Sequence, residues 1–339
     1  MHRWLWAATA ALCLAAAAPA DAGDPLVLQL KWLPDAQFAG YFVAEAKGFY
    51  RKAGLDVTIK PGGPDITPSQ VLASGGADVA VDWLASALAA RDRGAPIVNI
   101  AQIFQHSGLQ LTCRRNSGVR RPADLQGKTL GVWFAGNEYP FLAWMAKLGL
   151  NTGGGGSNTG PDVTVLRQDA GVELLLERRA ACISTMSYNE YWQVIDAGIA
   201  PSQLVVFRYD DEGVATLEDG LYALSAKLAD PAMRERLARF VRASVEGWRF
   251  AAAPAHRAEV MRILLRAGAA DAAGLRQAER MLREVAKLVA NNLYGLGYLE
   301  PAAYERTVDV LLSAASNPVI RQRPEGAWTH EIWDRAYPR

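Results

Sequence analysis

The chain has 339 residues and a formal net charge of +1, and half of its residues are hydrophobic. That length exceeds what one hydrophobic core usually organises, so two lobes are expected. A net charge near zero with no basic stripe argues against nucleic acid as a partner.

The first residues have the pattern of an export signal. A short positive start, Met1–Arg3, precedes an apolar run over residues 4–18, and Ala20-Asp21-Ala22 has the A-x-A form. The pattern predicts a secretory signal peptide at residues 1–22, cleaved after Ala22 or, as the alternative, after Ala20. A lone membrane span is disfavoured because the run is short. We therefore expect a periplasmic protein, and we expect it to be a monomer.

Two cysteines, Cys113 and Cys182, remain after that cleavage, and each lies in a strand-like apolar run. An oxidising compartment permits a disulfide between them, but two buried free thiols fit the pattern equally well. The histidines are scattered and no Cys/His cluster has metal-ligand spacing, so no metal site is predicted.

Strand and helix patterns alternate along the first part of the chain. Strands are predicted at 26–31, 55–60, 77–81 and 98–104, with helices between them at 36–47, 67–74 and 83–93. This order is typical of an α/β sheet with helices on both faces. After Leu221 the pattern becomes helical, at about 230–250, 254–267, 274–290 and 301–315, and the tail 318–339 is expected to dock irregularly. These helices are interpreted as scaffold.

The same strand and helix order recurs further along, from a strand at 129–132 to a helix that begins at Glu190, with Trp133 in the position of Trp32. Chance similarity is the alternative, since any α/β protein alternates in this way. If the repeat is real, the chain has two similar lobes, and equivalent strand-to-helix turns from each lobe face one another across a cleft. The expected division is lobe 1 from 23–112 and 208–339, and lobe 2 from 113–207.

Aromatic, amide and acidic residues follow the strands that would face this cleft. Flat rings stack planar ligands, and carboxylates with amides fix N–H groups. Basic residues are scarce there, so an anionic ligand is disfavoured and a neutral or weakly cationic heteroaromatic fits better. The alternative is that about half of the aromatic residues belong to the core. The candidate ligand contacts are Trp32, Gln37, Tyr41, Asp82, Trp83, Trp133, Gly136, Asn137, Glu138, Tyr139, Tyr188, Glu190 and Glu212.

Catalysis has little support in the sequence. Neither the G-x-S-x-G nucleophile pattern nor a phosphate-binding glycine loop occurs. No catalytic residue and no cofactor is therefore predicted. We expect Trp32→Ala and Asp82→Ala to weaken ligand binding while leaving the fold largely intact.

Four motifs carry a resemblance to a known family: KWLPDAQFAGYFVAEAKGFY at 31–50, ADVAVD at 77–82, DLQGKTLGVW at 124–133 and GVATLEDGLY at 213–222. They resemble the periplasmic solute-binding proteins of ABC importers. The subclass that they resemble binds thiamine pyrimidine precursors such as N-formyl-aminomethyl-pyrimidine, with riboflavin binders among its relatives.

The resemblance implies an α/β type II periplasmic binding fold, in which each of two lobes is a mixed sheet flanked by helices and the ligand cleft lies between them. Such a protein closes on its ligand and delivers it to an ABC permease with its ATPase. The family's ligand contacts carry over to Trp32, Asp82, the turn 136–139, Tyr188 and Glu212. A fungal branch of the family is a pyrimidine synthase that uses pyridoxal phosphate on a lysine. In this chain the stretch that matches the family's lysine contains Asp82 and Ser86 instead. The missing lysine disfavours an enzyme. A sensor domain, and a binder of riboflavin or a sulfonate, remain alternatives.

Overall fold

The computed structural model describes residues 23–153, 160–271, 274–289, 294–313 and 318–338. The predicted signal peptide, residues 1–22, lies outside these ranges. Within them, no helix combines the length and the apolar character that a membrane crossing requires.

Ten strands, numbered in chain order, form two five-stranded sheets. The first sheet has the order β2-β1-β3-β10-β4 and the second has the order β7-β6-β8-β5-β9. The first contains β1 (Asp24–Gln29), β2 (Leu55–Lys60), β3 (Val79–Asp82), β4 (Ile97–Gln102) and β10 (Gly220–Leu224). The second contains β5 (Leu109–Arg114), β6 (Thr129–Val132), β7 (Thr164–Arg167), β8 (Cys182–Met186) and β9 (Leu204–Arg208).

Each sheet has the same pattern of directions. Three neighbouring strands are parallel, and the fourth position holds one antiparallel strand, β10 in the first sheet and β5 in the second. The prediction of two mixed sheets is therefore confirmed, and the internal repeat is a property of the fold. Sequence reasoning missed β10, since it predicted only helices after Leu221.

Thirteen α-helices within the described residues flank the sheets. They are α1 (Ala39–Ala46), α2 (Phe49–Lys52), α3 (Pro68–Ala73), α4 (Leu84–Asp92), α5 (Tyr139–Lys147), α6 (Glu173–Leu176), α7 (Glu190–Asp196), α8 (Ser225–Ala229), α9 (Pro231–Ala252), α10 (Arg257–Arg266), α11 (Leu275–Leu288), α12 (Pro301–Leu312) and α13 (Glu331–Ala336). The tail that was expected to dock irregularly therefore contains α13, in which Trp333 is buried.

Helix α9 holds α1 in place on the first sheet. Its start is fixed by Pro231 at the first position and by the Asp230 side chain, which accepts a hydrogen bond from the Ala232 amide. The two helices approach closely, because a Cβ atom on Gly247 would lie 2.0 Å from the Gly40 carbonyl oxygen. This contact positions the turn before α1, which carries Gln37 toward the cleft.

The cysteines resolve an alternative that the sequence left open. Cys113 of β5 and Cys182 of β8 are directly opposite one another in the antiparallel ladder, and they form a disulfide. Both are fully buried. The bridge ties together two central strands of the second sheet, whose cleft-side ends carry part of the candidate site.

The chain crosses between the sheets twice, after β4 and after β9. Because β5 pairs along its whole length within the second sheet, residues 109–112 lie in that sheet rather than in the first, where the sequence analysis placed them. The division into lobes stays a proposal, and the strand pairing moves its first crossing to residues 103–108.

One carboxylate ties the two crossings together. Glu218, in the return crossing, accepts hydrogen bonds from the amides of Gly108 (3.0 Å) and Leu109 (3.1 Å) and from the Ser107 hydroxyl (2.5 Å). Its side chain is buried. Burial raises the pKa of Glu218 from 4.5 to about 8.

This buried carboxyl predicts a pH-dependent stability. Between about pH 4.5 and 8 the folded state retains a proton that the unfolded chain has lost, so the free energy of unfolding falls as pH rises through that window. The fall contributed by Glu218 is at most about 1.4 kcal/mol per pH unit. Urea unfolding at several pH values should show a shallower fall in Glu218→Gln. Asp211→Asn, an exposed change in the same crossing, is the control, and identical pH profiles for all three proteins would refute the assignment.

Candidate functional site

A cavity of about 20 Å³ lies between the two sheets, where strands of both lobes end, so a ring can enter it only if the lobes part. Residues that follow β1, β3, β6 and β8 converge there, as ligand sites of open α/β sheets do. Its lining residues are Lys31, Trp32, Gln37, Trp83, Trp133, Asn137, Met186, Tyr188, Asn189 and Glu190. We call this space the inner cavity.

Three tryptophans form its apolar walls. Trp32 from the first lobe meets Trp133 from the second with ring centroids 5.9 Å apart and an interplanar angle of 61°. The Trp133 indole donates to the Asp169 carbonyl at 3.0 Å, and the Trp83 indole donates to the Asp219 carboxylate at 3.0 Å. These bonds fix two of the rings, so a flat molecule in the cavity would meet preorganised aromatic faces.

Carboxylates supply most of the polar character. Glu190 accepts hydrogen bonds from the Met186 amide (2.9 Å) and from Asn189 Nδ2 (2.8 Å). Behind the wall, Asp219 accepts from Gln37 Nε2 at 2.7 Å as well as from Trp83. Burial raises the pKa of Glu190 to about 7 and that of Asp219 to about 6. The site is therefore rich in acceptors whose charge is sensitive to the ligand that they meet.

One cation reaches the cavity, and an acidic partner neutralises it. Lys31 Nζ lies 2.7 Å from an Asp82 carboxylate oxygen, and the two side chains are 2% and 0% exposed. Asp82 also accepts from the Trp83 amide at 2.8 Å and from the Ser69 hydroxyl. Groups of the protein thus occupy both carboxylate oxygens of Asp82, and this residue does not line the cavity.

Seven of the predicted site residues come together around the cavity: Trp32, Gln37, Trp83, Trp133, Asn137, Tyr188 and Glu190. Their assignment as ligand contacts remains a prediction. Tyr41 is fully buried against Trp248, with ring centroids 5.6 Å apart, and belongs to the core. Glu212 lies apart from the cavity, and its carbonyl accepts from Lys147 at 2.6 Å.

The turn at 136–139, apart from Asn137, joins the lobes instead of lining the cavity. The Ser86 hydroxyl donates to the Gly136 carbonyl at 2.5 Å, and Arg93 donates to the Tyr139 hydroxyl at 3.1 Å. Glu138 accepts from the Gly136 amide at 2.8 Å and so shapes the turn. These contacts hold the two lobes against one another beside the cavity.

Sequence reasoning missed four residues of this region: Lys31, Met186, Asn189 and Asp219. Asp219 had a readable signal, because it lies in the motif GVATLEDGLY, one of the four that carry the family resemblance. Lys31 had none, since a lysine next to a strand is usually solvated. Only the fold places it beside Asp82, which is 51 positions away in the sequence.

Comparison with known proteins agrees with this architecture. A family model described as NMT1/THI5 like matches residues 35–258. The riboflavin-binding protein RibY of Chloroflexus aurantiacus is 28% identical over 336 residues, which cover 93% of this chain and 89% of that protein. The formylaminopyrimidine-binding protein of Halalkalibacterium halodurans is 25% identical over 228 residues, 67% of this chain and 66% of that protein.

A solved structure shows the same fold. The alkanesulfonate-binding protein SsuA of Xanthomonas axonopodis pv. citri superposes with a TM-score of 0.62 at 13% identity, over 89% of this chain and 97% of that one. The expected two-lobe periplasmic binding fold is therefore confirmed.

The ion pair predicts that Asp82→Ala destabilises the protein, contrary to the sequence-based expectation of an intact fold. The change leaves the Lys31 ammonium buried without its partner, at a cost of about 3–5 kcal/mol in the free energy of unfolding. The double variant Lys31→Met/Asp82→Leu should recover most of that loss in urea unfolding. Asp309→Ala, which breaks an exposed ion pair, should cost less than about 1 kcal/mol. A stable Asp82→Ala protein that fails to bind ligand would favour direct ligand contact instead.

The close contact between Gly136 and Ser86 predicts that a larger residue at position 136 hinders closure of the two lobes. Gly136 has φ +98°, and a Cβ atom there would lie 2.6 Å from the Ser86 hydroxyl oxygen. Gly136→Ala should therefore weaken ligand binding by about 1–3 kcal/mol and increase the radius of gyration of the ligand-bound protein in small-angle scattering. Gly149→Ala is the matched control, because Gly149 also has a positive φ, +72°, but faces open space. Equal effects of the two variants would mean that backbone strain, and not the contact with Ser86, causes the loss of binding.

Proposed function

The chain belongs to the NMT1/THI5-like family, and from that premise we propose that it is the extracytoplasmic solute-binding component of an ABC importer, which captures a small heteroaromatic nutrient by closure of two lobes. The observation that carries the proposal is the contact of Trp32 and Trp133, one from each lobe, at the mouth of an acceptor-rich cavity. Closure around a planar ring would place an aromatic face on each side of it.

The charges in the cavity favour a ligand that donates hydrogen bonds. Glu190 provides an acceptor in the cavity and Asp219 adds negative character behind its wall, whereas the Lys31 ammonium is already paired with Asp82. A sulfonate, phosphate or nitrate would meet these carboxylates without an unpaired cation from the lining residues. An aminopyrimidine offers several N–H donors and a flavin ring offers one, and both present a flat face to the tryptophans.

The finer identity of the ligand is a proposal drawn from the relatives. One similar protein is named for riboflavin and another for a formylaminopyrimidine. Both are planar nitrogen heterocycles. We propose a thiamine pyrimidine precursor as the first candidate and a flavin as the second, and the sites named above are their proposed contacts.

An enzyme on the same fold is less well supported. The amine nearest the cavity, Lys31 Nζ, is held by Asp82 and also lies 3.4 Å from the Ser86 hydroxyl oxygen. An attack on a carbonyl would require it to leave this buried ion pair and lose a proton. The similar proteins named above are binding proteins.

The proposed partners are a membrane permease and its ATPase, and the proposed location is the periplasm, reached through the signal peptide predicted at 1–22. The protein would act as a monomer. A permease receives ligand only when the lobes reopen, and the two crossings joined by Glu218 are the proposed hinge.

If Trp32 and Trp133 hold a planar ligand between them, the mature chain should bind a heterocycle and lose affinity when either ring is removed. Thermal shift of the purified mature chain against pyrimidine precursors, flavins, nucleobases, sulfonates and nitrate should show stabilisation by a heterocycle. Trp32→Ala and Trp133→Ala should each weaken that ligand by about ten-fold or more, because a stacking face is lost. Phe134→Ala, an exposed neighbour, should bind normally.

Stabilisation by the anions alone would overturn the heteroaromatic assignment. Normal binding by both tryptophan variants would overturn the site.

A further inference from the structure

A second cavity adjoins the inner one and is open to solvent. It holds about 260 Å³ and shares Trp32 and Asn189 with the inner cavity. We call it the outer cavity. We propose that it is a subsite for an uncharged, hydroxylated chain attached to the planar ring, so that the ligand extends past Trp32 toward α11. This inference rests on the proposed function, because the ring must lie between the lobes, which part to widen the inner cavity.

Small side chains leave the room for such a chain. Ala170 from the second lobe faces Ala269, Ala270 and Ala278 from the segment that ends α10 and enters α11. The walls therefore come from both lobes, and the helices that the sequence analysis interpreted as scaffold contribute to the site. A branched side chain at any of these positions would occupy the space.

An amide network connects the two cavities. Asn189 Oδ1 accepts from Gln193 Nε2 at 3.0 Å and from Gln277 Nε2 at 2.8 Å, while Asn189 Nδ2 donates to Glu190. Because both glutamines donate through nitrogen, their carbonyl oxygens are the atoms that can accept from a ligand. Gln193 and Gln277 both line the outer cavity.

The remaining polar groups of the outer cavity are also acceptors. Asp35 caps the turn before α1 through the Gln37 amide at 2.8 Å, and Asp271 accepts from the Gly274 amide at 2.5 Å. Neither lysine nor arginine is among the described residues that line it. Hydroxyl groups can donate to these oxygens, whereas a terminal phosphate would bring like charge to the exposed Asp271. The subsite therefore selects a neutral chain.

Three flavins test the subsite: lumichrome, which is the ring alone, riboflavin, which carries a hydroxylated chain, and riboflavin 5′-phosphate. Tryptophan fluorescence titration of the mature chain should give a riboflavin Kd about ten-fold below that of lumichrome, the effect of one or two hydrogen bonds. The phosphate ester should bind at least about ten-fold more weakly than riboflavin, since charge meets charge without a cation.

Two filling variants locate the effect. Ala270→Leu and Ala170→Leu should each abolish the preference for riboflavin and leave the lumichrome Kd within about two-fold. Ala267→Leu, an exposed change on the far side of the same segment, is the control. Thermal melting of each variant without ligand checks its folding, and the two variants lie in different lobes.

The results separate the subsite from the proposed function. Equal Kd values for lumichrome and riboflavin, or a preference that survives both filling variants, would overturn the subsite while ring binding stands. Binding of a chainless pyrimidine without any flavin would do the same. Failure of every heterocycle to bind would overturn both.

Discussion

An exchange of one antiparallel strand between the two sheets is the constraint on which the rest of the molecule depends. The chain leaves the first sheet after β4 and supplies β5 to the second, then returns after β9 to supply β10 to the first. Each strand sits next to the centre of a sheet, where its hydrogen bonds are buried. The crossings are therefore anchored at both ends, and the lobes can change their relation only within the short segments between these strands.

That constraint explains why polar groups collect where they do. Parts of the crossings are buried, so their backbone amides need partners there, and Glu218 satisfies two of them with one carboxylate. The next residue, Asp219, fixes Gln37 and Trp83 on the cleft wall. Two consecutive carboxylates thus link the proposed hinge to the walls of the inner cavity. A movement of the return crossing would therefore displace Trp83, which forms an aromatic wall of the inner cavity.

The cleft also shows how charge is made compatible with an apolar site. Lys31 and Asp82 satisfy one another behind Trp83, whose ring centroid lies 5.3 Å from the ammonium nitrogen. Their pairing neutralises a cation that would otherwise attract anions, and leaves Glu190 as the ionisable lining residue without a partner of opposite charge.

Local sequence pattern was enough to predict the strands β1 to β4 and the helices α1, α4 and α5. It also indicated the repeat in which Trp133 corresponds to Trp32. Such features can be read from sequence because side-chain periodicity and glycine stops act over a few residues. Those features place seven of the predicted residues around one cavity. Long-range partners decided the rest. Gly220–Leu224 becomes a strand only because a gap between β3 and β4 receives it. Asp82 pairs with the buried Lys31 instead of lining the inner cavity, Cys113 meets Cys182 because the ladder sets them opposite, and α11 lines the outer cavity because it packs against α9 and α10.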